Sequence, residues 1–258
     1  MTTIAQAVDN ADTVPPHSQS RDTFRIPLDW ARVEPADGSY DEAVFDRYVD
    51  GCENARRRDA EPVIVLHHSR PPGWLGPDFW LRLDAPERFG SWAAAAVQRL
   101  GAYCGQVVTL VEPNAVAWRT WLTGALPPRR VGAVGDLVRG LDHMLAAHVV
   151  AQASVHLARP DAVADLEIRP LPVYELDGML NDVLAARDHG VGRYDLRRWL
   201  TERRRDWYQK RRPLALAGGL VRRAARSAIP LEQALPRTVA AVYDGNRRTP
   251  DRSLRQAR

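Results

Sequence analysis

Lysine is almost missing from this sequence: Lys210 is the only one in 258 residues. Arginine carries the basic charge instead. It is dense over 193–226 and again over 237–258, and the formal net charge is +4. Such a substitution of arginine for lysine reads as the base composition of a gene rather than as a binding device, so nucleic acid is not an expected partner. Cysteine is equally scarce, with only Cys52 and Cys104. Two thiols give no disulfide framework and no metal-type cluster, which suits a reducing cytoplasm. No apolar run is long enough to cross a bilayer, so no membrane is expected. The first twenty-one residues carry Asp9, Asp12 and Pro15-Pro16. They lack the basic start and apolar stretch of a signal peptide.

What is present is a chain able to bury a core, with 45% apolar residues. Residues 1–22 read as a flexible N-terminal segment. Strand-like and helix-like runs then alternate. Thr23 to Leu28 is a short β-type run. Asp41 to Arg58 places Val44, Phe45, Tyr48, Val49 and Cys52 at helical spacing. Pro62 to His67 is a continuous apolar run, as in a strand covered on both faces. Pro86 opens a helix that runs to about Tyr103. Gln106 to Val111 is the next strand, and Gly135 to Leu157 a long helix with Leu137, Leu141, Leu145, His148 and Val149 on one stripe. Asp165 to Val173 is a further strand, weakened by Pro170 and Pro172. This alternation predicts an α/β fold, with parallel strands joined by crossover helices over 23–177. A basic helical region at 178–243 is expected to pack on it, with a helix over Tyr194 to Arg212. Residues 244–258 read as a disordered basic tail.

In parallel α/β sheets the chemistry sits beyond the C-terminal strand ends. Glu112, directly after a buried strand, is the leading candidate there for a general acid. The competing reading is a strand-end carboxylate that is solvated or paired with an arginine. His67 and His68 also stand at a strand end, but alternation points their rings to opposite faces. They do not share a metal ion, and no ligand set is visible nearby. No metal or cofactor is expected. Trp30, Trp74, Trp80, Trp118 and Trp121 flank the strand ends, where indoles either stack on sugar rings or fill the core.

Several ordered motifs carry a resemblance. Phe24-Arg25-Ile26-Pro27-Leu28-Asp29-Trp30-Ala31-Arg32-Val33-Glu34-Pro35 resembles the segment Y/F-R-F-S-I-x-W-S-R-I-x-P of family 1 glycoside hydrolases, the β-glucosidase type. Glu61-Pro62-Val63-Ile64-Val65-Leu66-His67-His68, with Pro72 and Trp74-Leu75, is similar to that family's E-P-x-V-T-L-x-H-x-x-x-P-x-W-L. The stretch from Trp80 to Pro86-Glu87-Arg88-Phe89 matches the lead into the next helix. Thr109-Leu110-Val111-Glu112-Pro113-Asn114 resembles T-x-N-E-P, and His143 with Ala147-His148 resembles H-x-x-x-x-A-H. The match covers somewhat under half of the chain. It implies a partial (β/α)₈ TIM-type barrel of about four strands.

The resemblance also implies roles. Glu112 would be the acid/base carboxylate, His68 would contact a sugar hydroxyl, and Arg25 would lie beneath the site and orient a nucleophile. Trp30, His67, Asn114, Trp74 and Trp118 would line the substrate site, and the ligand would be a carbohydrate or glycoside-like molecule. Two departures matter. Val111 stands where the family has the asparagine that hydrogen-bonds the sugar 2-hydroxyl. No segment matches the family's T-E-N-G nucleophile; Glu167 and Glu175 lie near the last strand but match no motif. The expected function is hydrolysis of an O-glycosidic bond. The alternatives are a non-hydrolytic biosynthetic enzyme using Glu112 and His68 for proton transfer, or a non-catalytic sugar-binding or partner subunit. A half-barrel leaves bare edges, so a homodimer, a partner subunit or the C-terminal region is expected to complete it, the remaining alternative being a degenerate remnant with little activity.

Overall fold

A computed structural model of the chain describes residues 22–67, 70–211 and 235–245. Strand β1 (Thr23–Pro27) leads into helices α1 (Trp30–Val33) and α2 (Glu42–Arg57). Strand β2 (Glu61–Val65) is followed by α3 (Ala85–Leu100), then β3 (Gln106–Val111) by α4 (Pro113–Ala117) and the long α5 (Val134–Ala158). Strand β4 (Val163–Glu167) precedes α6 (Gly178–Ala185), α7 (Leu196–Lys210) and α8 (Pro236–Asp244). The four strands form one parallel sheet in the order β1-β2-β3-β4. Parallel neighbours in sequence order need crossover helices, and among the described residues the strands form an open arc of a (β/α)₈ barrel. Apart from Asp22, the N-terminal segment lies outside the described residues, as does the tail beyond Gly245.

Local chemistry explains the elements. The Asp41 side chain accepts from the Val44 amide at 3.2 Å and caps α2. Pro86 sits in the first turn of α3, where its missing N–H costs nothing. The last strand differs from expectation: it begins at Val163 and ends at Glu167, well short of Val173. Pro170 and Pro172 cannot donate to a ladder, and each biases the preceding residue out of regular pairing.

Register divides the sheet into two faces. Ile26 pairs with Ile64, and Ile64 with Val107. These three belong to the main core with Phe45, Phe89, Trp92, Leu141 and Leu145 from α2, α3 and α5. On the other face Arg25 pairs with Val63, and Val65 with Val108. There Val63, Val65 and Val108 form a second, small cluster with Val111. This is the face that would look inward in a complete barrel.

The expected stripe on α5 is an underestimate. Every residue from Gly140 to His148 is buried, because α5 is covered by α3, by the sheet and by α8. Close approach requires glycine here: a Cβ on Gly140 would come within 2.1 Å of the Trp121 ring, and one on Gly90 within 2.4 Å of Val150. On the sheet side the Thr109 hydroxyl meets His148 Nδ1 at 2.7 Å. On the outer side Asp142 accepts from the Arg237 and Thr238 amides at 3.0 and 2.8 Å. That carboxylate caps the first turn of α8 from a different helix. Helix α7 docks through Leu196, Leu200 and Tyr208, and through ion pairs of Arg203 with Asp182 and Arg211 with Asp177.

Candidate active site

Glu112 follows the last residue of β3 and precedes Pro113, the first residue of α4. Its backbone is left-handed, at φ 49° and ψ 49°. A non-glycine residue in that region costs on the order of 1 kcal/mol or more and persists where the surroundings hold it. Two things hold it here. Pro113 starts a helix in the next position, and the Glu112 amide donates to the Glu167 carbonyl at 2.8 Å. The result is a side chain presented at the C-terminal edge of the sheet, 34% exposed. Arg169 Nε donates to its Oε2 at 2.8 Å. Glu112 is therefore arginine-paired, and the pair is open to solvent.

Asn114 governs where that arginine stands. Its buried amide donates to the Arg169 and Leu176 carbonyls at 2.7 and 2.8 Å and accepts from the Arg169 amide at 3.1 Å. Fully buried and committed to the chain itself, Asn114 holds the segment after β4 rather than presenting a group to solvent.

Arg25 reaches from β1 across the inward face to Glu167 on β4. Arg25 Nη1 donates to Glu167 Oε1, and Nη2 donates to Oε2 at 3.1 Å. The side chains are 45% and 37% exposed, so the pair spans the concave face without being sealed in it. Two carboxylate–arginine pairs, Glu112–Arg169 and Glu167–Arg25, thus stand on adjoining strands at one end of the sheet. Glu175, the other acid near β4, is buried, and Tyr208 donates to it at 2.9 Å.

Two of the rings expected at this opening, Trp30 and His67, are buried. Trp30 is 3% exposed, stacks on Trp92 at 5.5 Å and donates to Glu34 Oε2 at 2.7 Å. Trp74 is half-buried and donates to the Glu34 carbonyl at 2.8 Å. His67 is buried edge-on to Trp80 at 5.4 Å. Trp118 is half-buried against the main core at the start of a π-helical turn, Trp118–Leu122. Trp30 and His67 are core residues because the strand-to-helix connections fold back over them. His68 lies outside the described residues. The residues missed in sequence are Arg169 and, as a partner of Arg25, Glu167; only the β3–β4 register could have pointed to them.

The glycosyl hydrolase family 1 model matches residues 18–199. The chain belongs to glycosyl hydrolase family 1. Among curated proteins it is 24% identical over 170 residues to 6-phospho-beta-galactosidase 1 of Streptococcus pneumoniae, covering 65% of this chain and 36% of that one. It is 28% identical over 131 residues to mouse (Mus musculus) Klotho, covering 48% of this chain and 13% of Klotho. Among solved structures, the AHE enzyme of Alicyclobacillus herbarius superposes with a TM-score of 0.60 at 20% identity, covering 64% of this chain and 42% of that one. A Thermotoga maritima beta-glucosidase in complex with deoxynojirimycin gives 0.56 at 19% identity, covering 59% and 35%. This family 1 chain therefore spans little more than a third of the length of the phosphogalactosidase it matches. Among the described residues no helix is long and apolar enough to cross a membrane.

Proposed function

We propose that this family 1 chain hydrolyses an O-glycosidic bond of the β-glycosidase type, with Glu112 as the acid/base carboxylate. The observation that carries the reading is the placement of Glu112. It sits in a left-handed strand-to-helix turn, partly exposed, at the sheet end where barrel enzymes keep their chemistry. Arg169 engages one of its oxygens, which leaves lone-pair sites on the carboxylate for a leaving oxygen. The substrate is a sugar or glycoside-like molecule. The wall facing the concave side is supplied by association, with a second copy or a partner subunit. A cytoplasmic setting fits a chain with only two cysteines, both buried and unbridged.

Val111 favours a second reading. Without an amide at that position the transition-state bond to the sugar 2-hydroxyl is missing. Proton transfer in small-molecule biosynthesis, using Glu112 with His68, needs no such bond.

A panel of aryl β-glycosides, including a 6-phosphogalactoside, assayed with wild type and Glu112→Gln separates these. Glu112→Gln is expected to lose about 10²- to 10⁴-fold in kcat on glycosides with poor leaving groups. Specific activity is expected to rise with protein concentration where association completes the barrel. Unchanged turnover in the variant would exclude Glu112 as the acid.

A further inference from the structure

The geometry points to Arg169 as a specificity-determining residue, whose guanidinium receives an acidic group on the leaving part of the substrate. The assignment rests on the reading of Glu112 as the acid. It names the substrate class: β-glycosides whose aglycone carries a carboxylate close to the scissile bond.

The case starts from what surrounds Glu112 in the chain. Val111 packs with Val63, Val65 and Val108 and brings no polar side chain. Pro113 has no N–H to give. Asn114 is fully buried, with its amide committed to the backbone of Arg169 and Leu176. Polar recognition beside Glu112 therefore falls to a residue from another strand end, Arg169.

Arg169 is firmly placed and lightly used. Asn114 holds both its amide and its carbonyl, at 3.1 and 2.7 Å. Pro170 restricts it further, to extended backbone. A guanidinium carries five N–H donors. Arg169 commits one of them, on Nε, to Glu112. Its two Nη atoms meet no acceptor among the described residues. Arg25 at the same end of the sheet differs, because its Nη1 and Nη2 both donate to Glu167. The open Nη edge of Arg169 is the planar fork that takes a carboxylate through two parallel hydrogen bonds.

Its place selects the leaving group. The Arg169 side chain is 56% exposed against 34% for Glu112, so it stands on the solvent side of that carboxylate. It touches the group that gives its proton to the leaving oxygen, so an acid on the fork lies near that oxygen. The part of a substrate that extends from there toward solvent is the aglycone. Glu112 keeps the Nε bond while the aglycone carboxylate takes the Nη edge, and binding needs no rearrangement.

The test uses the full chain and three aryl β-glycosides, with 3-carboxyphenyl, 3-carbamoylphenyl and 3-(methoxycarbonyl)phenyl aglycones, each as the glucoside and the galactoside. The acid is placed meta so that it does not reach its own glycosidic oxygen. The amide and ester withdraw electrons more strongly than the carboxylate, so leaving-group ability alone favours the neutral substrates. Wild type is expected to prefer the acid by about 10- to 100-fold in kcat/KM. Arg169→Gln is expected to bring that ratio to one or below, and Arg169→Lys to regain part of it without the fork. Added salt is expected to narrow the preference. The bonds to Asn114 use only the Arg169 backbone, so both variants are expected to melt with wild type. If wild type cleaves the three aglycones without favouring the acid, or the preference persists in Arg169→Gln, the assignment falls and the hydrolytic reading stands. If wild type cleaves none of them, the hydrolytic reading falls, and equilibrium dialysis of the same glycosides decides the anion site. Tighter binding of the acid than of the amide, lost in Arg169→Gln, supports it; equal binding overturns it.

Discussion

Asn114 shows how a single side chain can look like a ligand contact and act as a clamp. Its three hydrogen bonds satisfy the carbonyls of Arg169 and Leu176 and the amide of Arg169. The arginine beside Glu112 is therefore placed by a residue two positions after that glutamate in sequence. Asn114→Ala would strand buried backbone groups, each costing about 1–3 kcal/mol when unpaired. A lower midpoint in denaturant melts is expected, together with loss of the fixed Glu112–Arg169 geometry. A variant as stable as wild type would show that water replaces the amide. Trp30 makes the same point for aromatics. Its indole is tied to Glu34 and stacked on Trp92, so the tryptophan at this strand end belongs to the core.

At the scale of elements, helix α8 is held by an acid of the β/α portion. Helix α8 has no side-chain cap of its own: Leu235 stands at its N-cap and Pro236 in its first turn. Asp142 of α5 fills that role, accepting from two amides and from the Thr238 hydroxyl at 2.8 Å. It is buried, so truncation leaves both the helix dipole and the amides uncompensated. Asp142→Ala is expected to cost about 1–3 kcal/mol and to open the α8 segment to proteolysis before global unfolding. Limited proteolysis followed by mass mapping reads this directly. Cleavage at wild-type rates would mean that α8 is held by its apolar face alone. The shortened β4 is a second lesson at this scale. Its end at Glu167 puts Arg169 beyond the ladder, where its side chain is free to turn to Glu112.

For the whole molecule, the buried histidines of α5 set a pH dependence. Burial holds His148 down to about 4, and His143 is lowered for the same reason. An unfolded histidine titrates near 6.5. Between these values the unfolded chain binds more protons than the folded one, so stability rises with pH over that window. The contribution of His148 is fully present above about 6.5 and lost as pH falls toward 4; its size is on the order of 3 kcal/mol. Burial raises Asp177, which acts in the opposite sense from its usual carboxylate range upward. Thermal melts are expected to show a falling midpoint from pH 7 to pH 5. His148→Gln is expected to lower the midpoint at pH 7 but to flatten that slope. A slope unchanged in the variant would locate the acid sensitivity elsewhere.

The sequence by itself determined the alternation of strands and helices, the family, and the position of Glu112 at a strand end. These rest on local periodicity and on short motifs, which need no knowledge of distant contacts. The long helix was legible for the same reason, but its burial on every side from Gly140 to His148 was not. Only the tertiary structure decided which residues meet. Arg25 and Glu167 are 142 positions apart, and Arg169 and Glu112 are 57 apart. Both pairings depend on the register of β4. A slip of one residue would turn Glu167 from the concave face to the helices. Burial was likewise settled by packing: Trp30, His67 and Asn114 are enclosed by connections folding over the strand ends, which no run of neighbouring residues encodes.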